Sequence, residues 1–255
     1  MSRKAFMPGC ALASYNPENV SKMTAHLKSV YPDLSVVQKC CGKPTQAIGQ
    51  ADLFNERYAS LAADMRFVEA DDVIVACQSC MNVFNKKGEF NIVSLWELLP
   101  KIGLPKEMVG KAKGSDVVFS VHDSCSVRPY TGIHEGIRWI LDELGYKHVE
   151  PEKTRDTTRC CGFGGMIVPV SPDIAKKVME RRVSDMTTDH IVAYCAACRQ
   201  SMLKVGGKAW HIMDLIFGEV VHATTDPPFD VLASPAKAWK NRYRSKKMLN
   251  KVMKG

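Results

Sequence analysis

The sequence predicts an α/β chain of two tandem, pseudo-twofold-related cysteine-rich modules, each a short parallel sheet flanked by helices, followed by a basic C-terminal tail. Three observations predict it. All ten cysteines of the 255 residues fall into two copies of one five-cysteine pattern, and self-similarity at this scale marks two copies of one structural unit. Within each copy, short apolar runs alternate with helix-length segments, which is the grammar of a parallel-sheet module. The formal net charge of +8 equals the eight cations of residues 236–255, a stretch without an acid. The modules are placed at residues 1–114 and 115–225 and the tail at 226–255, with the boundary in the polar, glycine-bounded segment Gly110-Lys111-Ala112-Lys113-Gly114.

The elements follow in order. Lys4-Ala5-Phe6-Met7 reads as a strand that ends at Pro8-Gly9 and delivers Cys10. Asn16-Pro17-Glu18 supplies an N-cap and a first-turn proline for a helix running to about Tyr31. Leu34-Ser35-Val36-Val37 is the next strand and precedes Cys40 and Cys41; a helix over 51–69 follows, then the strand Val73-Ile74-Val75-Ala76 before Cys77, with Cys80 one helical turn on. The second module repeats this sequence of parts. A strand over 117–121 leads to Cys125, a helix spans 134–144, a strand over 146–149 precedes Cys160 and Cys161, and a helix begins near Ser171-Pro172-Asp173. The strand Ile191-Val192-Ala193-Tyr194 then delivers Cys195, with Cys198 after it. Thiols at strand ends converge on the carboxyl edge of a sheet, where sites in such folds lie.

Composition narrows what these thiols do. The chain opens Met1-Ser2-Arg3-Lys4 with no apolar run behind it, and no stretch approaches the roughly 20 apolar residues of a membrane span. A cytoplasmic protein with reduced thiols is expected. Five cysteines per module cannot all pair internally, which argues against a disulfide framework. Packing alone has no need of adjacent pairs or of C-x2-C spacing, so a metal is the better account. Zinc takes four ligands, and each module offers one C-x2-C, one adjacent pair and one single cysteine, a thiolate too many. Iron–sulfur clusters spread several irons over bridging sulfides and accept more thiolates than one cation. Glycine after each pair, Gly42 and Gly162, permits positive φ and a close approach of backbone to such a core. The candidate metal and cofactor ligands are therefore Cys10, Cys40, Cys41, Cys77, Cys80, Cys125, Cys160, Cys161, Cys195 and Cys198.

One cysteine, a gap of 29 to 35 residues to Cys-Cys-Gly, and a similar gap to C-x2-C make a pattern that resembles the cysteine-rich (CCG) domain of the disulfide-cleaving component of heterodisulfide reductase. The likeness is carried by Met7-Pro8-Gly9-Cys10, Cys40-Cys41-Gly42-Lys43-Pro44, His122-Asp123-Ser124-Cys125 and Cys160-Cys161-Gly162-Phe163-Gly164-Gly165, and covers about residues 1–220. Related domains occur in iron–sulfur subunits of glycolate oxidase, anaerobic glycerol-3-phosphate dehydrogenase and the lactate-utilisation system. The resemblance implies a non-cubane [4Fe-4S] cluster on each five-cysteine set, the two flanking a disulfide that is split reductively. It implies a catalytic oxidoreductase subunit, active within a complex, that acts on a small-molecule or protein disulfide. The chain carries neither a C-x2-C-x2-C-x3-C-P ferredoxin run nor a strand-following G-x-G-x-x-G, so electrons are expected from a ferredoxin-like iron–sulfur subunit fed by a flavoprotein. Two alternatives stand beside this reading: an electron-transfer subunit of a 2-hydroxyacid or glycerol-3-phosphate oxidation system, and a module stabilised by structural zinc.

His122 and Asp123, shortly before Cys125, are catalytic candidates for orienting a ligand or donating a proton, set against a turn-forming role because the first copy has Pro8 and Gly9 in this stretch. His211 and Ser94, each before an apolar run, read as helix caps or core contacts. The tail reads as a basic amphipathic helix with Leu249, Val252 and Met253 on one face, suited to an acidic partner or to the inner face of a membrane as a peripheral contact. Nucleic acid is not expected as a partner, since no nucleic-acid module is recognisable.

Overall fold

The computed structural model describes residues 2–165 and 167–254. They form two compact units, one of residues 1–95 with 234–255 and one of residues 96–233. The first contains the strands β1 (Lys4–Met7), β2 (Ser35–Val36), β3 (Asp72–Val75) and β4 (Asn91–Ser94), in the order β2-β1-β3-β4 and all parallel. The second contains β5 (Val118–His122), β6 (Lys147–Val149), β7 (His190–Ala193) and β8 (Lys208–His211), in the matching order β6-β5-β7-β8, again all parallel. The α/β class and the duplicated parallel sheets are thus present.

Parallel strands need crossover connections, and helices supply them. In the first unit these are α1 (Cys10–Tyr15), α2 (Pro17–Val30), α3 (Lys43–Ala47), α4 (Ala51–Phe67) and α5 (Gln78–Lys87). The second unit has α6 (Leu95–Ile102), which enters it from the division point, then α7 (Thr131–Leu144), α8 (Ile167–Val170), α9 (Pro172–Ser184), α10 (Ala196–Lys204) and α11 (Ile212–Phe217). Helices on both faces explain why the central strands read as unbroken apolar runs: Ala5, Phe6, Met7, Val73, Ile74, Phe119, Val121 and Val192 are all buried. Asn16 caps α2 as its pattern predicts, accepting from the Asn19 N–H at 3.0 Å, with Pro17 in the first turn.

The units divide at Leu95/Trp96, ahead of the polar segment near Gly114. The reason is Trp96, which is buried and meets Tyr194 and His211 edge-on at centroid distances of 6.4 and 6.2 Å. Gly136 on α7 makes room for it, since a Cβ there would lie 1.9 Å from the Trp96 carbonyl oxygen. The segment 110–114 is itself woven into the second unit: Ala112 N–H donates to the Leu144 carbonyl, and Lys111 Nζ donates to those of Ile216 and Gly218.

The C-terminal segment is also placed differently from a separate tail. It forms α12 (Pro235–Lys254), a helix of the first unit. Leu249 and Ser245 are buried, Gln38 Nε2 donates to the Arg242 carbonyl, Asn241 Nδ2 to those of Ser14 and Tyr15, and Lys28 Nζ to the last-turn carbonyls of Val252 and Met253. Val36 and Val37 share a groove with Leu249 and Met253, so α12 covers the edge beside β2, a strand of two residues.

Candidate functional site

In each sheet the chain leaves the central strand in one direction and then crosses back to the other side, so β1/β3 and β5/β7 are topological switch points, the crevices where α/β sheets hold ligands. The cysteines stand there. Cys10 follows β1 and opens α1, Cys40 and Cys41 follow β2, Cys77 follows β3 as the N-cap residue of α5, and Cys80 sits in the first turn of α5. In the second unit Cys125 follows β5, Cys160 and Cys161 follow β6, Cys195 is the N-cap residue of α10, and Cys198 lies in its first turn. The backbone agrees closely at the caps: φ and ψ are −101° and 120° at Cys77, and −124° and 119° at Cys195.

None of the ten cysteines is in a disulfide, and their burial matches between units. Cys41, Cys80, Cys161 and Cys198 are buried, whereas Cys10, Cys40, Cys77, Cys125, Cys160 and Cys195 are half-buried. Within the first unit, Cys80 donates to Cys41 with sulfurs 3.3 Å apart. Cys10 is pushed up first by its hydrogen bond to Cys40 and then by burial, with Cys77 and Cys41 acting on it as well. Cys40 is lowered by that same bond from Cys10, against desolvation, with help from the Gly42 N–H and the Arg242 and Arg57 charges. The second unit repeats the arrangement. Cys125 is pushed up by its bond to Cys160 and by burial, Cys160 is lowered by Cys125 and Cys161, and Cys195 is lowered to about 7 by the Cys198 thiol, against desolvation. Sulfurs paired in this way cannot all ionise unaided, and a bound cation would displace their protons.

The backbone is shaped around these sulfurs. Gly42 and Gly162 each donate their N–H to the first sulfur of the adjacent pair at 3.4 Å, with φ of +79° and +81°. At Gly9, with φ of +85°, a Cβ would lie 2.6 Å from Cys77 Cβ, so the β1 and β3 ends close together only because that position is glycine. Five thiolate donors, two helix N-termini or turns supplying N–H groups, and a bare backbone fit an iron–sulfur cluster in each unit and exceed what a four-coordinate zinc uses.

His122 and Asp123 have separate surroundings. Asp123 is fully buried and accepts from Arg138 Nη1 and Nη2 at 2.6 and 2.7 Å, from Thr154 Oγ1 at 2.9 Å, from the Arg155 N–H at 2.8 Å and from the Tyr194 hydroxyl at 3.1 Å. Burial alone would push its carboxyl up, but the bonds and charge of Arg138 hold it at about 2. His122 is buried against Arg182, whose Nε donates to Nδ1 at 2.9 Å. Desolvation and the Arg182 charge lower it to about 3, so the imidazole is neutral. A ring nitrogen of His122 and the sulfurs of Cys161 and Cys198 lie within 4.8 Å of one another. The strand register aligns His122 with Met7 and Asp123 with Pro8, one residue off the pairing with Pro8 and Gly9. His211 caps α11, its Nδ1 accepting from the Met213 N–H at 3.2 Å. Arg182 and Arg138 escape the sequence reading. Arg138 is detectable in principle, since His134 and Arg138 fall four apart beside the buried Ile133, Ile137 and Leu141 of α7; nothing marks Arg182.

The chain matches the model of the cysteine-rich (CCG) domain twice, over residues 4–85 and 119–203, and it belongs to that family. Among curated proteins it is 26% identical over 64% of its length to a component of the dihydromethanophenazine:CoB–CoM heterodisulfide reductase of Methanosarcina acetivorans, covering 44% of that protein. It is 27% identical over 77% of its length to an uncharacterized iron-sulfur protein of Methanocaldococcus jannaschii, covering 40%. A component of the fumarate reductase (CoM/CoB) of Methanothermobacter marburgensis is 25% identical over 78% of this chain, with 41% of its own length covered. The chain therefore spans less than half the length of these relatives. Family and donor set together support an iron–sulfur cofactor.

Proposed function

We propose that the chain is an iron–sulfur subunit of a heterodisulfide-reductase-like complex that cleaves a disulfide reductively, each five-cysteine set holding one [4Fe-4S] cluster of the non-cubane kind. The observation that carries this reading is that both sets are intact and share one pattern of burial. The relatives named as heterodisulfide reductase components support the substrate class. Cleavage consumes two electrons and two protons and yields two thiols. A bound cluster supplies one-electron transfer and iron that can take a sulfur ligand. The electrons come from a ferredoxin-like iron–sulfur subunit fed by a flavoprotein.

The chain's own residues hold, shield and bias the site. The buried cysteines would hold the cluster from the protein interior, and the half-buried ones lie nearer the solvent from which a disulfide would come. Arg242 and Arg57, whose charges act on Cys40, and Arg128, whose charge acts on Cys125, would offset the negative charge of a thiolate-bound cluster. Asp123, bound by Arg138, Thr154, the Arg155 N–H and Tyr194, and His122, held by Arg182, position the second site. Among the described residues no helix is long and apolar enough to cross a membrane. We place the chain in the cytoplasm, with the basic α12 facing an acidic partner subunit or an anionic membrane surface.

Anaerobic purification with iron, sulfide and zinc quantification, followed by electron paramagnetic resonance, tests the cofactor: roughly eight irons per chain are expected, and protein carrying zinc alone would sink the reading. A second reading, electron transfer towards quinone, is favoured by the EtfAB:quinone oxidoreductase of Syntrophomonas wolfei, 23% identical over 69% of this chain. The reduced complex assayed against a mixed alkyl disulfide and against a quinone separates the two.

A further inference from the structure

We propose that His122 is a hydrogen-bond donor to the metal centre of the second unit, through Nε2–H, and that the first unit has no counterpart, so that two sites with the same cysteines differ in reduction potential. The inference rests on the reading that the second five-cysteine set holds an iron–sulfur cluster. His122 is the last residue of β5 and is 1% exposed. Its Nδ1 lies 2.9 Å from Arg182 Nε. A guanidinium carries donors only and stays protonated in proteins, so Nδ1 must be the acceptor and the ring proton must sit on Nε2. Arg182 cannot turn away, because its Nη1 donates to the Lys153 carbonyl at 2.9 Å, its Nη2 donates to Thr158 Oγ1 at 3.2 Å, and it is itself 1% exposed.

Nε2 is therefore a donor of fixed tautomer, and it is buried without a hydrogen-bond partner. The His122 ring lies beside the sulfurs of Cys161 and Cys198. A buried N–H without an acceptor is costly, and sulfur is the acceptor at hand. Direct ligation of iron through Nε2 would need the proton on Nδ1, which the Arg182 N–H occupies. In the first unit Met7 takes the place of His122, and the part of α4 that corresponds to Arg182 carries the buried apolar residues Leu61 and Ala62. N–H bonds to cluster sulfur favour the more negative, reduced state. The donor thus raises the potential of the second site, a contribution the first site lacks.

The test uses full-length protein isolated anaerobically with histidine labelled in heavy nitrogen, reduced to its paramagnetic state and read by pulsed paramagnetic resonance. Among the described residues His122 is the histidine grouped with cysteine sulfurs, so a histidine nitrogen coupling reports on it. A weak nitrogen coupling, with a proton coupling lost in deuterium oxide, is expected. A coupling of the size of a direct ligand, or none in a loaded second site, overturns the proposal. His122→Phe should shift the potential of that site downward with iron content unchanged, and His122→Gln, which restores an N–H, should recover much of it. An unchanged potential in loaded His122→Phe overturns the donor role; if that variant fails to load, the coupling in the unmodified protein decides. Iron and sulfide missing from the unmodified protein would instead remove the cluster reading, and the donor with it.

Discussion

Asp123 and Arg138 show how the second unit holds a charge beneath its site. Both side chains are buried, at 0% and 6% exposure, and the guanidinium spans the carboxylate with two bonds while also reaching Glu150. Replacing one partner of such a pair leaves the other charge desolvated, at a cost of about 3–5 kcal/mol. Arg138→Met should therefore lower the stability of the second unit by about that amount, read as a shift of the denaturant midpoint at constant slope. The pH dependence follows from the same contact. Asp123 is held at about 2 when folded, below the usual value near 4 for an unfolded carboxyl. Its stabilisation is fully present above about pH 4 and is lost as pH falls through about 2. In Arg138→Met that share of the acid limb should vanish; an unchanged limb would show that Asp123 draws its low value elsewhere. Residue by residue, the gathering of the thiols at the sheet edges was legible because adjacent and C-x2-C spacing has no packing explanation, whereas Arg182 was not, because a buried arginine on a polar-looking helix leaves no periodic mark.

At the level of elements, local chemistry was readable where punctuation was strong. Asn16-Pro17 starts α2, and Pro8-Gly9 ends β1. The edge strands β4 and β8 passed unread because each is four residues long and runs without a turn into α6 or α11, so no glycine or proline marks the change of period. The C-terminal helix was visible as an amphipathic pattern, but its docking was not, since that depends on an exposed edge at β2 elsewhere in the chain. Trp239 and Tyr243 stay largely exposed under Arg242 and Lys247, while Leu249 is 3% exposed. Leu249 is thus the anchor. Leu249→Ala should cost the first unit about 2–4 kcal/mol, seen as earlier proteolysis of α12 together with weaker retention of iron by Cys10, Cys40, Cys41, Cys77 and Cys80. Indifference to the substitution would mean that the polar bonds from Lys28, Gln38 and Asn241 suffice to hold the helix.

For the whole molecule the decisive fact is that each cysteine set closes within one unit. Residues 10–80 contribute the first five and residues 125–198 the second, and the units divide at Leu95/Trp96. The duplication was readable from spacing alone, but the division was not, because a buried tryptophan in the first turn of a helix looks like any other core residue in sequence. The charge balance adds to the picture: the cations of α12 account for the whole net charge of +8, so association with an acidic surface should be screened by salt while iron binding is not. Closure within a unit makes the two sites separable. Cys41 and Cys161 are buried at 3% and 4% exposure, each in contact with the second sulfur of the C-x2-C of its own set. Cys41→Ser should strip about half of the iron and leave the paramagnetic signal of the second site intact, Cys161→Ser should do the converse, and the double variant should bind almost none. Because serine preserves shape in both positions, circular dichroism should report a folded chain in all three. Loss of all iron from either single variant would show that the sites load as one, and the picture of two independent centres would have to be given up.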